Sequence, residues 1–150
     1  MPRPLLYALS ASTLVPLVLA GCAPTHVADI GTPVAVSHPI GAYSHEFRWG
    51  NNADVVYLVD NAAGTDPGRV DFDLNVTVPD LGRMFGFVNL EVTCVVGGEA
   101  SAADTHERLS EDYSGEFEFP MWCAVPEGTD HVTIEIDHHD EHLRFEGVVG

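Results

Sequence analysis

The sequence predicts an all-β protein, an antiparallel β-sandwich that follows an N-terminal signal peptide and a short tether. Several runs alternate apolar and polar residues with the period of two that marks a half-buried strand. Glycine and proline separate these runs, and no stretch beyond the first 21 residues has the period of an amphipathic helix. Many short strands of this kind are typical of a sandwich or barrel, and an immunoglobulin-like sandwich of seven or eight strands fits the length.

The first 21 residues have the layout of a secretory signal peptide. Arg3 and the free amine supply positive charge, and an uncharged apolar stretch then runs from Leu5 to Ala20. This stretch is about 16 residues long, whereas a membrane-spanning helix needs ~20, and Pro16 interrupts it. The segment is therefore predicted to direct export rather than to span a membrane.

The signal peptide ends in Leu19-Ala20-Gly21-Cys22. This segment resembles the lipobox of prokaryotic lipoproteins, in which an aliphatic residue and two small residues precede a cysteine. The resemblance covers residues 1–22 only. It implies cleavage before Cys22 and a diacylglyceryl group on the thiol, and two acyl chains give stable membrane attachment. Ala23 after the lipid site implies the outer membrane where the cell has one. An ordinary signal peptide with a chance cysteine is the alternative.

A tether is expected after the lipid site, because small residues and two prolines fill the next stretch. The chain is thus divided into a signal peptide at 1–21, a lipidated tether at 22–35 and a β-sandwich domain at 36–150. Removal of the signal peptide leaves 129 of the 150 residues, enough for one domain with a core.

Five regions are predicted as core strands. Val55–Val59 is a short apolar run suited to a buried strand, and the others alternate. The alternating regions are Val70–Val78, Val88–Val96, Phe117–Val125 and the pair formed by Val132–Ile136 with Leu143–Phe145. Pro120 places its strand at a sheet edge or at a bulge, because proline donates no ladder hydrogen bond.

The last pair is predicted to form a hairpin whose loop is His138-His139-Asp140-Glu141. In this register Ile136 faces Leu143 and Ile134 faces Phe145 on the apolar side. On the polar side Asp137 faces His142 and Glu135 faces Arg144. One register satisfies both faces, and complementary cross-strand pairs contribute ~0.2–1 kcal/mol each.

Two cysteines remain once Cys22 is assigned to the lipid. Cys94 and Cys123 both lie on the inward phase of their strands, and an exported protein is exposed to an oxidising compartment. We therefore predict a disulfide between them, which would stabilise the fold by ~2–4 kcal/mol. Two buried free thiols or a metal pair are the alternatives.

The composition excludes several function classes. Removing residues 1–21 takes away Arg3 and no acid, which leaves 5 arginines, no lysine and 23 acidic residues, a formal net charge of −18. Such a surface repels phosphates, so no nucleic-acid partner is expected. The absence of lysine rules out Schiff-base and P-loop chemistry, and there is no Gly-x-Ser-x-Gly motif. We predict that the protein is not an enzyme.

The hairpin tip is the main candidate for a metal site. His138, His139 and His142 could converge there on a divalent ion, since imidazole nitrogens suit zinc, copper and nickel. Their pKa values would rise beside the neighbouring carboxylates. A solvated polar turn is the alternative. The oxygen-rich segment Asp60–Gly68 is a second, calcium-type candidate, although it does not follow the EF-hand spacing.

The function predicted from the sequence is that of a lipid-anchored extracytoplasmic binding or interaction module of the cell envelope. Its partners would be the membrane, through the lipid, and an envelope protein or small ligand. An envelope metal-binding protein that uses the histidine-rich hairpin is the alternative.

Overall fold

The computed structural model describes residues 26–43, 50–109 and 111–150. Within these ranges the chain forms strands, turns and bends but no helix, and so contains no helix that could cross a membrane. The strands are β1 (His26–Asp29), β2 (Val34–Pro39), β3 (Asn52–Asp66), β4 (Arg69–Val78), β5 (Phe85–Gly86), β6 (Glu91–Val96), β7 (Glu99–Ala102), β8 (Asp104–Thr105), β9 (Glu111–Asp112), β10 (Gly115–Ala124), β11 (His131–His138) and β12 (Glu141–Val148). The predicted signal peptide and the predicted lipid site, Cys22, lie outside the described residues.

The strands form two five-stranded sheets that pack face to face, as predicted for a sandwich. One sheet has the order β1-β12-β11-β6-β7 and the other the order β2-β3-β4-β10-β8. The pairing is antiparallel except between β1 and β12. A two-stranded ribbon of β5 and β9 lies apart from the two sheets.

The strand order has the immunoglobulin-like pattern. If β3, β4, β6, β7, β8, β10, β11 and β12 are lettered A, B, C, C′, D, E, F and G, the sheets read A-B-E-D and G-F-C-C′. The strands β1 and β2 are additions, one at the outer edge of each sheet. The end of the sandwich that carries the β11–β12 turn is called the hairpin end below.

The core consists of the inward side chains of the two sheets. Every second residue of β4 from Val70 to Val78 is buried, as the alternation predicts. The run Val55–Val59 is not buried throughout but alternates, because only Val55, Tyr57 and Val59 face inward. Val88 was predicted to face the core and is 74% exposed, since it lies in a turn before β6.

The predicted disulfide between Cys94 and Cys123 is present. It joins β6 to β10, and therefore one sheet to the other, with the two Cα atoms 6.2 Å apart. Both cysteines are buried. The bond links the C and E positions of the immunoglobulin-like order rather than the B and F positions of antibody domains.

The stretch predicted as tether contributes strands to the sandwich. Residues within 22–35 form the whole of β1 and the first part of β2. Val36, on β2, is buried in the core, and Ile30, between the two strands, packs against it. Alternation in this stretch is obscured by alanine and proline, so the sequence does not reveal that the sandwich includes residues from His26 onward.

Pro120 lies on β10, which is next to the edge strand β8 and is not itself the edge strand that was predicted. On one side its strand, β10, pairs along its full length with β4, but on the other side only Met121 and Trp122 pair, with the two-residue strand β8. The polar stretch from Gly97 to Gly115 begins with a tight hairpin into β7 and includes the short strands β8 and β9.

Candidate functional site

The β11–β12 hairpin has the predicted register but a shorter loop. Ile136 pairs with Leu143, Ile134 with Phe145, Asp137 with His142 and Glu135 with Arg144. The loop contains only His139 and Asp140, whose φ angles are 49° and 65°. Two consecutive positive φ values are the signature of a type I′ turn, whose twist matches that of the strands. His138 therefore belongs to β11 and not to the loop.

His138 is a core residue, with 2% of its surface exposed. Its Nε2 lies 2.8 Å from the carbonyl oxygen of Gly86, and its Nδ1 lies 2.9 Å from the hydroxyl of Tyr57. A carbonyl oxygen only accepts, so Nε2 carries the proton and Nδ1 accepts from Tyr57. Burial lowers the pKa of His138 to about 4, so the expectation that it would rise is wrong for this residue.

His139 binds the same carbonyl group. Its Nε2 donates to the oxygen of Gly86 at 2.8 Å, so one carbonyl accepts from two neighbouring imidazoles. Phe85 packs against both rings, at centroid distances of 5.1 Å for His138 and 4.4 Å for His139. Phe87 stacks on His138 at 5.3 Å. This arrangement, called the histidine clamp, fixes the β5 segment against the hairpin end.

The structure does not bring the three predicted metal ligands together. His142 donates from Nδ1 to Asp137 at 2.6 Å, on the outer face of the hairpin, whereas His138 points into the core with both nitrogens hydrogen bonded. In the described part of the chain, no three His, Cys, Asp or Glu side chains are placed to hold a metal ion. His138 and His139 hydrogen bond to Gly86, and His142 hydrogen bonds to Asp137, so each of the three histidines has a partner within the fold.

A further histidine, missed in the sequence, lies beside the clamp. His38 is 7% exposed, and its ring packs edge-on against Phe85 at 5.4 Å. Its Nε2 is buried and has no hydrogen-bond partner among the described residues. Burial lowers its pKa, although Glu141 opposes this shift. Its inward phase on β2 was the available signal, but no strand was predicted for this segment.

A second feature lies on the outer face of the β3-β4-β10 sheet. The segment Asp60–Gly68, considered above for calcium, is the end of β3 and the turn into β4. The pairing of β3 with β4 shifts register twice there, and Asn61 has a φ of 53°. Such bulges bend a strand and redirect its side chains. The bulge borders a shallow space of about 200 Å³, called the bulge cleft.

Charged and aromatic side chains line the bulge cleft. The guanidinium of Arg69 lies 4.6 Å from the ring centre of Trp122, a cation–π contact. Its Nε also donates to both carboxylate oxygens of Asp71, at 3.0 and 3.1 Å. Burial opposes ionisation of Asp71, but hydrogen bonds from Arg69 and Thr65 outweigh it and lower the carboxyl pKa. The indole N–H of Trp122 is buried and has no partner in the described structure.

Two carboxylates of this face oppose each other without a cation between them. Asp60 and Asp73 are direct cross-strand partners. Their contacts are amides: Asn75 donates to Asp60 at 3.3 Å, and Asn61 donates to Asp73 at 2.8 Å. Partial burial and the charge of Asp73 raise the pKa of Asp60. Like charges placed opposite each other destabilise a sheet, and a bound positive group would relieve them.

No protein family, curated protein or solved structure matches this chain.

The bulge cleft combines acidic, amide and aromatic side chains in one lining. It offers carboxylate and amide oxygens beside an aromatic ring, together with the hydroxyl of Thr65 and the imidazole of His106. After Arg69 neutralises Asp71, the carboxylate of Asp73 in the lining and that of Asp60, its cross-strand partner, leave this part of the face negative. The sequence does indicate that these side chains face outward, because Asp71, Asp73 and Trp122 are on the outward phase of their strands. Sequence alone does not reveal the bulge or the pairing of β4 with β10.

Proposed function

We propose that this protein is a lipid-anchored interaction module of the cell envelope, exported from the cytoplasm, held by a lipid on Cys22 and without catalytic activity. The observation that carries the proposal is the buried disulfide between Cys94 and Cys123. Such bonds persist in oxidising compartments outside the cytoplasm. Since these two cysteines pair with each other, Cys22 is left as the cysteine available for the lipobox chemistry.

Anchoring is tested by replacing Cys22 with serine. The variant should incorporate no labelled fatty acid and should leave the membrane fraction, whereas the wild type should retain both properties. The matched control is Thr77→Ala, which changes an exposed residue on the domain surface. This variant should keep both the fatty-acid label and the membrane association. Equal fatty-acid incorporation by wild type and the Cys22 variant would contradict the proposal.

The interaction surface that we propose is the bulge cleft, and the ligand it favours carries a basic group. Two uncompensated carboxylates, Asp60 and Asp73, attract a cation, and the amides of Asn61 and Asn75 limit where it binds. The rim of Trp122 adds apolar contact area. A binding module needs only such a surface on a rigid scaffold, and the disulfide-linked sandwich supplies the scaffold.

Binding is tested by NMR titration of the isotopically labelled domain with arginine amide. We expect shifts that centre on the indole N–H of Trp122 and the amides of the bulge, with at least ~10-fold weaker binding for Asp73→Asn, equal to ~1.4 kcal/mol. Glu116→Gln removes one exposed charge from β10 away from the cleft and should leave the affinity unchanged. Equal weakening by both variants would mean diffuse attraction to the acidic surface and would refute a site in the cleft.

A further inference from the structure

The first described residue, His26, lies at the hairpin end of the sandwich. It begins β1, which runs parallel to β12, and it pairs with Leu143, two residues after the start of β12. The start of β12 adjoins the turn at His139 and Asp140, so the position of His26 fixes where the preceding chain joins the domain. The Nε2 atom of His26 lies 3.7 Å from a carboxylate oxygen of Glu141, the first residue of β12.

The distance between the lipid site and this end is short. Three residues separate Cys22 from His26. A fully extended chain spans at most ~3.3–3.6 Å per residue, so the two Cα atoms lie within roughly 14 Å of each other. Once Cys22 carries its lipid, as the proposed function requires, the hairpin end cannot be far from the headgroup layer.

Exposed apolar side chains are concentrated at this same end. The connection from β4 to β6 carries Met84, 47% exposed, and Val88, 74% exposed. Tyr113 precedes β10, whose first residue pairs with the last residue of β4, and is 57% exposed. Tyr43 follows β2 on the same end and is 66% exposed. Tyrosine is favoured at membrane interfaces, because its ring is apolar and its hydroxyl stays hydrated.

The loop that bears two of these side chains is held rigidly. Met84 precedes Phe85 and Val88 follows Phe87, and both phenylalanines are buried against the histidine clamp. The clamp fixes Gly86 between them through two hydrogen bonds of 2.8 Å. Met84 and Val88 therefore project from a fixed loop and cannot withdraw into the core.

We infer that the hairpin end is a membrane-contacting surface, on which Tyr43, Met84, Val88 and Tyr113 rest in the lipid headgroup layer. The inference rests on the lipid anchor of the proposed function. The domain then stands with its C-terminal end away from the bilayer, and the bulge cleft, near that end, stays open to partners. Because the domain is acidic, the contact is expected on zwitterionic lipid and should weaken on anionic lipid.

The test compares two exposed valines at opposite ends of the sandwich. Val88 and Val148 are 74% and 68% exposed, so each can be replaced by cysteine and labelled with an environment-sensitive fluorophore. The lipidated full-length protein is used, since its own three cysteines are then blocked by lipid or paired. In phosphatidylcholine vesicles with headgroup spin labels, we expect at least ~3-fold stronger quenching at position 88 than at 148. Equal quenching, or stronger quenching at 148, would overturn the inference.

A longer tether gives a second measurement. Twenty Gly/Ser residues inserted after Ala23 should reduce quenching at position 88, because the effective concentration of the end at the membrane falls with tether length. Unchanged quenching would show that the tether does not impose the contact. Flotation with the vesicles separates the two proposals: a protein that does not float refutes the lipid anchor, whereas one that floats without preferential quenching refutes only the orientation.

Discussion

Replacing His138 by glutamine should make the stability of the domain less dependent on pH. Burial lowers the pKa of this ring from 6.5 to about 4 in the folded protein. Between these two values the unfolded chain binds a proton that the folded chain does not. The stabilisation due to the neutral ring is therefore fully present above about pH 6.5 and is lost as the pH falls towards 4.

The size of the effect follows from the two pKa values. Each tenfold difference in proton affinity corresponds to ~1.4 kcal/mol, so the change from 6.5 to about 4 amounts to about 3 kcal/mol. Glutamine can accept from Tyr57 and donate to Gly86 but binds no proton in this range. We expect the wild type to lose about 3 kcal/mol more than His138→Gln between pH 7 and pH 4. Carboxylate protonation affects both proteins and cancels in the comparison.

The assay is urea unfolding at pH 7, 5.5 and 4, followed by tryptophan fluorescence with the disulfide intact. The control is His131→Gln, an exposed position on the same strand, whose stability should follow that of the wild type at each pH. If His138→Gln differs from the wild type by the same free energy at every pH, the reasoning is refuted, since the variant would then have lost contacts but no titration.

Two further predictions concern the disulfide and the histidine tip. Replacing Cys94 and Cys123 together by alanine should lower the free energy of unfolding by ~2–4 kcal/mol, because the bond joins positions 29 residues apart; an unchanged urea midpoint would contradict this. Zinc calorimetry of the wild-type domain should show no site tighter than ~100 µM, because both ring nitrogens of His138 are hydrogen bonded within the fold. The prediction would be contradicted if zinc bound one-to-one to the wild type and did not bind to the double variant His138→Gln/His142→Ala. That result would show that the tip opens to bind metal.

The hairpin register was readable from sequence because two independent patterns agree on it. The buried pairs Ile136–Leu143 and Ile134–Phe145 are in register only when Glu135 faces Arg144. A slip by one residue would place every apolar side chain in water. The same reasoning located the two cysteines on inward positions, and their pairing follows once both point into one core.

The alternation along β11 places His138 in the core, but a polar residue type favoured a position in the loop. The residue continues the inward series of Val132, Ile134 and Ile136, and the period of two placed it in the core. The predicted four-residue loop included His138, whereas the observed loop is His139-Asp140, a pair without the asparagine or glycine that usually indicates a type I′ turn. Its partner Tyr57 is 81 residues away in the chain, so the hydrogen bond has no local sequence signal.

The bulge cleft depends on features that a single sequence does not encode locally. The outward positions of Asp71 and Trp122 are legible from alternation. Their proximity requires knowledge that β4 pairs with β10, two strands that are far apart in the chain. The register shifts in β3 are set by how its end packs over β4, so they appear only in the folded structure.

The parallel pairing of β1 with β12 determines how the domain responds to mechanical load. A pull on the chain ahead of His26 acts along the axis of β1, while the ladder hydrogen bonds bridge the two strands laterally. The force therefore loads all the hydrogen bonds of the ladder together in shear and does not break them one at a time. Beyond β1, the backbone bonds from Ile30 to Glu146 and from Gly31 to Val59 extend this resistance across both sheets. In the proposed lipid-anchored form, tension therefore enters the domain through a ladder that is loaded in shear.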